Sequence, residues 1–394
     1  MPPSRLIQSL IASSLLALAA CAQQAPTPRV VDLKAADGAV LKATYFPAAK
    51  PGPGVLLLHQ CNRQRKVWDQ LAQQLAAAGI NVLTLDLRGF GESAGTPADK
   101  ATPQEVAEAQ QKWPGDIDMA FAYLTSQPGI KRDVIGLGGA SCSVNNSIQT
   151  ARRHPADVKS LVLLSGGTDL AGRQFLRQSS QLPVLFAVAD DDEFPVTLDS
   201  VPWLYSISPN PGKNLVHYAR GGHGADMFGV HPELRGVIVD WYVTTLIKTP
   251  GHAPATKGEI HIPLPAKILA MLDQPGGARQ VESMLTEARR KDPKNTLFSE
   301  ASVNLLGYDH LQSGDNKGAV EIFKLNVTAF PDSPNVYDSL SDAYLADGQK
   351  DLARQNAKKA MALLASDTVD PEDRRNAIRD SAQQKLRQLG EGPQ

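Results

Sequence analysis

The stretch GLGGASCSVNNS at residues 136–147 leaves the backbone few options. It follows an apolar β-like run, Asp133–Leu137, and leads into a polar segment able to form a helix. Within it, Gly139-Ala140-Ser141-Cys142-Ser143 has the pattern small-x-Ser-x-small. A strand that turns sharply into a helix brings the positions two before and two after the apex together, so larger side chains would collide there. The pattern predicts a strand–turn–helix unit whose strained apex holds the Ser141 side chain clear of the sheet. Gly is usual at both flanks, and here Ser143 takes the second. Centring the turn on Cys142 would put β-branched Val144 at that flank, and centring it on Ser143 would put Asn145 there. The competing reading is an ordinary Gly/Ser-rich turn.

A serine hydroxyl becomes a nucleophile when a base takes its proton and a carboxylate fixes the base's tautomer. In one chain order of such triads the acid follows the serine and the base comes last. Downstream lies LPVLFAVADDDEFP, residues 182–195. Leu182–Ala189 has the composition of a buried strand, with Asp190, Asp191, Asp192 and Glu193 just past its end, where catalytic groups gather in open α/β sheets. Asp192 is the candidate acid and Asp191 the second choice; the others suit a solvated turn. In NLVHYARGGHGADMF, residues 214–228, Asn214–Ala219 alternates like a final strand and His223 follows in a Gly-flanked loop. A lone loop His is usually a bystander, but His223 is the only His beyond the acidic turn that directly follows a strand. His217 lies within the strand, His231 precedes Pro232, and His252 and His261 fall further on.

From Val30 to about Ile247 strands and helices alternate. A hairpin is expected at Arg29–Lys34 and Val40–Phe46. Strands are expected at Gly54–His59, Ile80–Leu87 and Val158–Leu164, and helices at Trp68–Ala78, Asp116–Leu124 and Glu233–Leu246. Such alternation implies a mostly parallel sheet with helices on both faces. DLRGFGES at 86–93, GASCS at the turn, ADDD and GGHG come in one order, with 51 residues from Ser141 to Asp192 and 31 from Asp192 to His223. These four motifs resemble the α/β-hydrolases of the dienelactone hydrolase and acetyl-esterase-like branch. The resemblance covers somewhat over half the chain, residues 29–248. It implies a Ser141–His223–Asp192 triad, with Asp192 where relatives carry a G-x-x-D turn.

The resemblance also implies an oxyanion hole of two backbone N–H groups. The first donor would be Cys142. The second would come from HQCN, residues 59–62, with Cys61 preferred and Gln60, which stands where relatives carry Gly, the runner-up. Donors aimed at one oxygen lie within about 6 Å of each other, a separation that suits a disulfide. Cys61 and Cys142 are therefore expected to be bonded; the alternative is two free thiols.

Residues 1–21, MPPSRLIQSLIASSLLALAAC, combine Arg5, an apolar run and Leu18-Ala19-Ala20-Cys21, which resembles a bacterial lipobox. Cleavage would leave Cys21 lipidated on a tether, residues 22–28; an ordinary secretory signal is the alternative. Ala22 favours outer-membrane sorting, with the protein facing the periplasm. Of three cysteines, two then remain as a pair in an oxidising compartment.

Residues 249–265 have the composition of a linker. Beyond it, residues 266–394 are helical in pattern. Leu306 and Leu340, Gly314 and Gly348, and Ala319 and Ala353 recur at a 34-residue spacing. This resembles tetratricopeptide repeats, with helices near Ala266–Lys291 and Pro371–Leu389 flanking them. Such repeats bind a protein or peptide partner or act as a brace; both readings stand. The balance of 40 Lys+Arg against 41 Asp+Glu excludes a basic nucleic-acid surface. No Cys/His spacing suits a metal, and no Gly-rich dinucleotide fingerprint follows the first buried strand, so no cofactor is expected. The expected activity is that of an envelope-anchored serine hydrolase acting on small carboxylic esters in an open site, since residues 165–182 carry no large cap insertion. A lapsed hydrolase fold serving as a scaffold, and a serine peptidase, are the rival readings.

Overall fold

The computed structural model describes residues 26–391 apart from 257 and 259. The lipobox and Cys21 lie outside the described residues. The chain opens with a hairpin, β1 (Arg29–Lys34) and β2 (Val40–Phe46). It continues through β3 (Gly52–Leu58), α1 (Asp69–Ala77), β4 (Asn81–Leu85), α2 (Pro103–Ser126), β5 (Ile130–Ala140) and α3 (Cys142–Arg153). Then come β6 (Val158–Leu164), α4 (Leu170–Gln178), β7 (Val184–Ala189), α5 (Val196–Ile207) and β8 (Asn214–Tyr218). A short α6 (Met227–Val230) precedes α7 (Glu233–Tyr242), which runs into π-helical Val243–Lys248.

The strands form one sheet in the order β1-β2-β4-β3-β5-β6-β7-β8. β2 is antiparallel to both neighbours and the others pair in parallel. Helices cover both faces, which is why β3, β4 and β7 are buried along their whole length. Successive residues of β3 serve opposite cores. Leu56 and Leu58 pack with Ile117, Phe121 and Leu124 of α2 and Val144 and Ile148 of α3. Val55 and Leu57 pack with Leu71 and Leu75 of α1 and Ile238 and Tyr242 of α7. Parallel pairing brings the carboxyl ends of β3, β5, β7 and β8 to one rim.

Several helices differ from expectation, among them α4, which has no counterpart in the sequence reading. The pattern predicts only Asp116–Leu124 for α2, which starts thirteen residues earlier, at Pro103. Its start is fixed by a capping box in which Thr102 and Glu105 satisfy each other's backbone N–H, and Pro114 is accommodated inside it. α5, with Pro202 in its interior, has no counterpart in the sequence reading.

The remainder is helical: α8 (Leu264–Leu272), α9 (Gly277–Lys291), α10 (Glu300–Gln312), α11 (Asn316–Ala329), α12 (Pro334–Ala346), α13 (Lys350–Leu364) and α14 (Glu372–Gln388). The single helix expected near Ala266–Lys291 is two, broken at Pro275-Gly276, where Gly276 adopts φ 79°. Gly314 and Gly348 take φ 82° and 79° at equivalent turns, α10–α11 and α12–α13, a left-handed conformation that glycine adopts without steric penalty. α8 and α10 pack against α5, and Trp203 of α5 joins the apolar core of the helical region. Among the described residues no helix is long and apolar enough to cross a membrane.

Candidate active site

β5 ends at Ala140, α3 begins at Cys142, and Ser141 alone makes the turn, at φ 54° and ψ −124°. A non-glycine residue held there is strained and persists only because its surroundings fix it. Its N–H donates to Leu164 O at 2.9 Å. A Cβ at Gly139 would stand 2.1 Å from Ser143 O, so the first flank admits only glycine. The second flank is buried Ser143, whose Oγ donates to His59 O at 2.7 Å. The residue that departs from the usual pattern thus ties the start of α3 to the loop after β3.

The His223 ring is buried, and its Nδ1 lies 2.9 Å from each Asp192 oxygen. Asp192 Oδ1 also accepts from Phe194 N at 2.9 Å. Burial opposes charge on Asp192, but the bonds from His223 and Phe194 outweigh it and hold the carboxyl below its ordinary pKa. Asp191 does different work: its Oδ1 accepts from Gly221 N at 2.7 Å and Gly222 N at 2.8 Å, fixing the loop that carries His223. Asp190 pairs with exposed His217 at 2.6 Å. With Nδ1 engaged, His223 Nε2 has no hydrogen-bond partner among the described residues. Ser141, Cys142 and His223 line one cleft. No hydrogen bond joins Ser141 to His223 among the described residues, and such contacts commonly tighten only when substrate binds.

Cys61 and Cys142 form a disulfide with Cα atoms 6.0 Å apart. Cys142 is the first residue of α3, where backbone N–H groups have no acceptor within the helix. Gln60 is fully buried. Its Oε1 accepts from Ala225 N at 2.7 Å, and its Nε2 donates to Asn62 Oδ1 at 2.9 Å and to His223 O at 3.3 Å. It therefore grips the His223 loop from across the rim, a positioning role that the sequence reading missed. The signal was there: an amide that can donate and accept stands beside the loop expected to supply an oxyanion donor. His59 is a structural residue. Leu87 N donates to its Nε2 at 3.0 Å, so Nδ1 carries the proton and donates to Gln60 O at 2.8 Å. Burial lowers its pKa and keeps it neutral. The DLRGFGES motif is likewise scaffold. Asp86 accepts from Arg65 N at 2.7 Å and Glu92 N at 3.0 Å, and the Arg65 guanidinium pairs with both carboxylates. Arg88 bridges Asp37 and buried Asp116.

The cleft holds about 490 Å³ and has two walls. Phe194, Trp203 and Leu204 come from the sheet-bearing region; Leu269, Leu305, Leu306, Asp309 and Gln312 come from the helical region. The wall from the helical region has no counterpart in the sequence reading. A buried latch holds the second wall in place. Arg173 of α4, fully buried, donates from Nε to Asp273 Oδ1 at 2.9 Å and from Nη1 to Asp309 Oδ2 at 2.8 Å and Thr168 O at 2.6 Å, and it stacks over Trp203. Arg177 and His310 also reach Asp273. Repeat periodicity specifies which residues pack between helices but not which face meets another body, so nothing in the sequence located this wall.

Residues 49–188 match the Hydrolase_4 family model, described as "Serine aminopeptidase, S33". The fold is that of an α/β-hydrolase. The hydrolase region is similar to Thiohydrolase aneE of Aspergillus aculeatus, 31% identical over 124 residues, which are 31% of this chain and 36% of the relative. It is also similar to Uncharacterized protein Rv2307c of Mycobacterium tuberculosis, 32% identical over 151 residues, which are 37% and 48%. The chain thus spans about a third to a half of these curated relatives. Among solved structures, the Pyrococcus furiosus esterase Pf2001 superposes at TM-score 0.45 and 17% identity, covering 56% of this chain and 93% of that one. A dienelactone hydrolase from Anabaena variabilis does so at 0.44 and 18%, covering 56% and 99%.

Proposed function

We propose that the protein is a serine hydrolase that cleaves carboxylic esters by acyl transfer through Ser141, His223 and Asp192. The observation that carries this reading is the buried Asp192–His223 pair, whose unengaged Nε2 shares a cleft with a serine held at a strained turn. In the mechanism, Ser141 Oγ attacks the ester carbonyl and its proton passes to His223 Nε2. Asp192 fixes the tautomer and stabilises the imidazolium. The N–H groups of Cys142 and Cys61 stabilise the oxyanion, which collapses as His223 protonates the departing alkoxide. Water, deprotonated by His223, then releases the acid and restores the serine. A thioester offers the same carbonyl, and the relative named a thiohydrolase makes it worth assaying.

The lipobox-like Leu18–Cys21 supports anchoring through a lipidated Cys21, with the enzyme in the bacterial envelope, on the outer membrane facing the periplasm. The 34-residue recurrence supports a tetratricopeptide-like reading of α10–α13. The contacts of α8 and α10 with α5 favour a brace over a free partner-binding module at that end of the array.

A fluorophosphonate probe is expected to label Ser141, and wild type to hydrolyse p-nitrophenyl esters at rates about 10⁴-fold or more above Ser141→Ala. Folded protein that takes no label would leave the scaffold reading standing. Labelling with cleavage of peptides in preference to esters would make it a peptidase.

A further inference from the structure

Two large apolar side chains stand exposed in the Ser141 cleft, one on each wall: Phe194, 48% exposed, and Leu305 of α10, 49% exposed. Singly, such residues need no explanation; here they share one cavity with the candidate nucleophile. Several of the polar groups around them are already occupied, while Ser165 Oγ and Trp203 Nε1 have no partner among the described residues. Thr197 Oγ1 donates to Phe194 O at 2.9 Å and Ser200 Oγ to Val196 O at 2.6 Å. Thr168 Oγ1 donates to Asn145 Oδ1 at 2.6 Å and Ser302 Oγ to Asp199 Oδ2 at 2.6 Å. Asp309 is held by Arg173. Among the described residues lining the cleft there is no Lys or Arg, while two carboxylates, Asp169 and Asp309, border it. What the walls offer a ligand is therefore mainly apolar surface, with no cation among the described lining residues to pair with an anion. The volume of about 490 Å³ falls in the range of small-molecule sites.

Direction follows from the chemistry. His223 must protonate the departing alkoxide, so the leaving group lies on the His223 side. Phe194 is on that side too, its ring packed edge-on against His223 with centroids 4.6 Å apart. The acyl chain then lies away from Phe194, and the other wall of the cleft is the helical region.

We propose that α10, with Leu269 of α8, forms the acyl subsite of the Ser141 cleft, and that the subsite takes an uncharged aliphatic acyl chain lying along Leu305 and Leu306. The helical region is then part of the substrate-binding surface. This rests on the reading of Ser141 as the nucleophile.

The test uses the full chain and two fluorophosphonates, with an ethyl or an octyl group on phosphorus. Wild type is compared with Leu305→Asp and, as a milder change at an exposed position, Leu305→Ala. The octyl-to-ethyl ratio of labelling rates is expected to exceed one in wild type. It should fall on the order of ten-fold in Leu305→Asp and less in Leu305→Ala. A ratio that neither substitution changes overturns the subsite while leaving Ser141 as nucleophile. So does chain-length dependence found only when the alcohol part of an ester is varied. Failure of the ethyl probe to label Ser141 in folded wild type overturns the nucleophile, and the subsite with it.

Discussion

Replacing Arg173 by Met tests how the second cleft wall is held. The guanidinium is fully buried between α4 and the helical region, with Asp273, also fully buried, Asp309 and the Thr168 carbonyl as its partners and Trp203 beneath it. Met fills similar volume but leaves Asp273 only Arg177 and His310. Removing one partner of a buried pair costs about 3–5 kcal/mol, because the other charge is left in a poorly solvating place. Burial already pushes the Asp309 carboxyl above its ordinary pKa despite Arg173, so that group too loses support for its charge. The loss is expected in the transition that undocks the helical region, since a chain whose helical region has a core separate from those of the sheet need not unfold in one step. Urea unfolding read by proteolysis within residues 249–263 would isolate that transition. In Arg173→Met/Asp273→Leu the buried charge goes along with its partner, and more than half of the loss is expected to return. A single-substitution cost below about 1 kcal/mol, or a double variant as unstable as the sum of the singles, would refute the claim that buried charge pairing holds the wall.

Gln60→Ala removes the acceptor for Ala225 N–H and the grip on His223 O. It is expected to lower kcat about 10–100-fold with KM little changed and to alter the pH profile of kcat; an unchanged kcat would assign Gln60 to packing alone. Reducing the Cys61–Cys142 bond, which closes an 81-residue separation, is expected to destabilise the fold by up to ~4.5 kcal/mol on the chain-entropy account. It should also lower kcat by loosening both proposed oxyanion donors, as measured by ester turnover with and without reductant. For His310, burial opposes charge, but hydrogen bonds to Asp273 and Asp315 prevail and raise its pKa above the ordinary value. Its contribution is therefore full below about pH 6.5 and is lost as pH rises through the raised value. Docking of the helical region, followed by melting between pH 5.5 and 8.5, should weaken in that direction, and His310→Gln should flatten the trend.

Much of the architecture was legible because its signals are local. The sharp turn at Ser141 forces small neighbours, the buried strands are continuous apolar runs, and the acidic and glycine-rich loops each follow a strand. The adjacency of Cys61 and Cys142 was inferred from the resemblance and the distance demanded of two oxyanion donors. Elsewhere the local signals misled. Pro114 hid the first half of α2 although its capping box was in plain sight, and Pro202 hid α5. Gln60 and Ser143 looked like defects against the usual glycines, whereas each supplies a hydrogen bond that glycine could not. The latch at Arg173 was illegible for a different reason. Its partners stand 100 and 136 residues away, and no periodicity records such a pairing.

The two walls of the cleft belong to stretches of chain that are far apart in sequence and built on unrelated patterns. Substitutions along the cleft-facing side of α10 can accumulate without touching the turn at Ser141 or the sheet that supports it. An arrangement of this kind lets selectivity drift, or be engineered by exchanging helices, while the chemical apparatus is inherited intact.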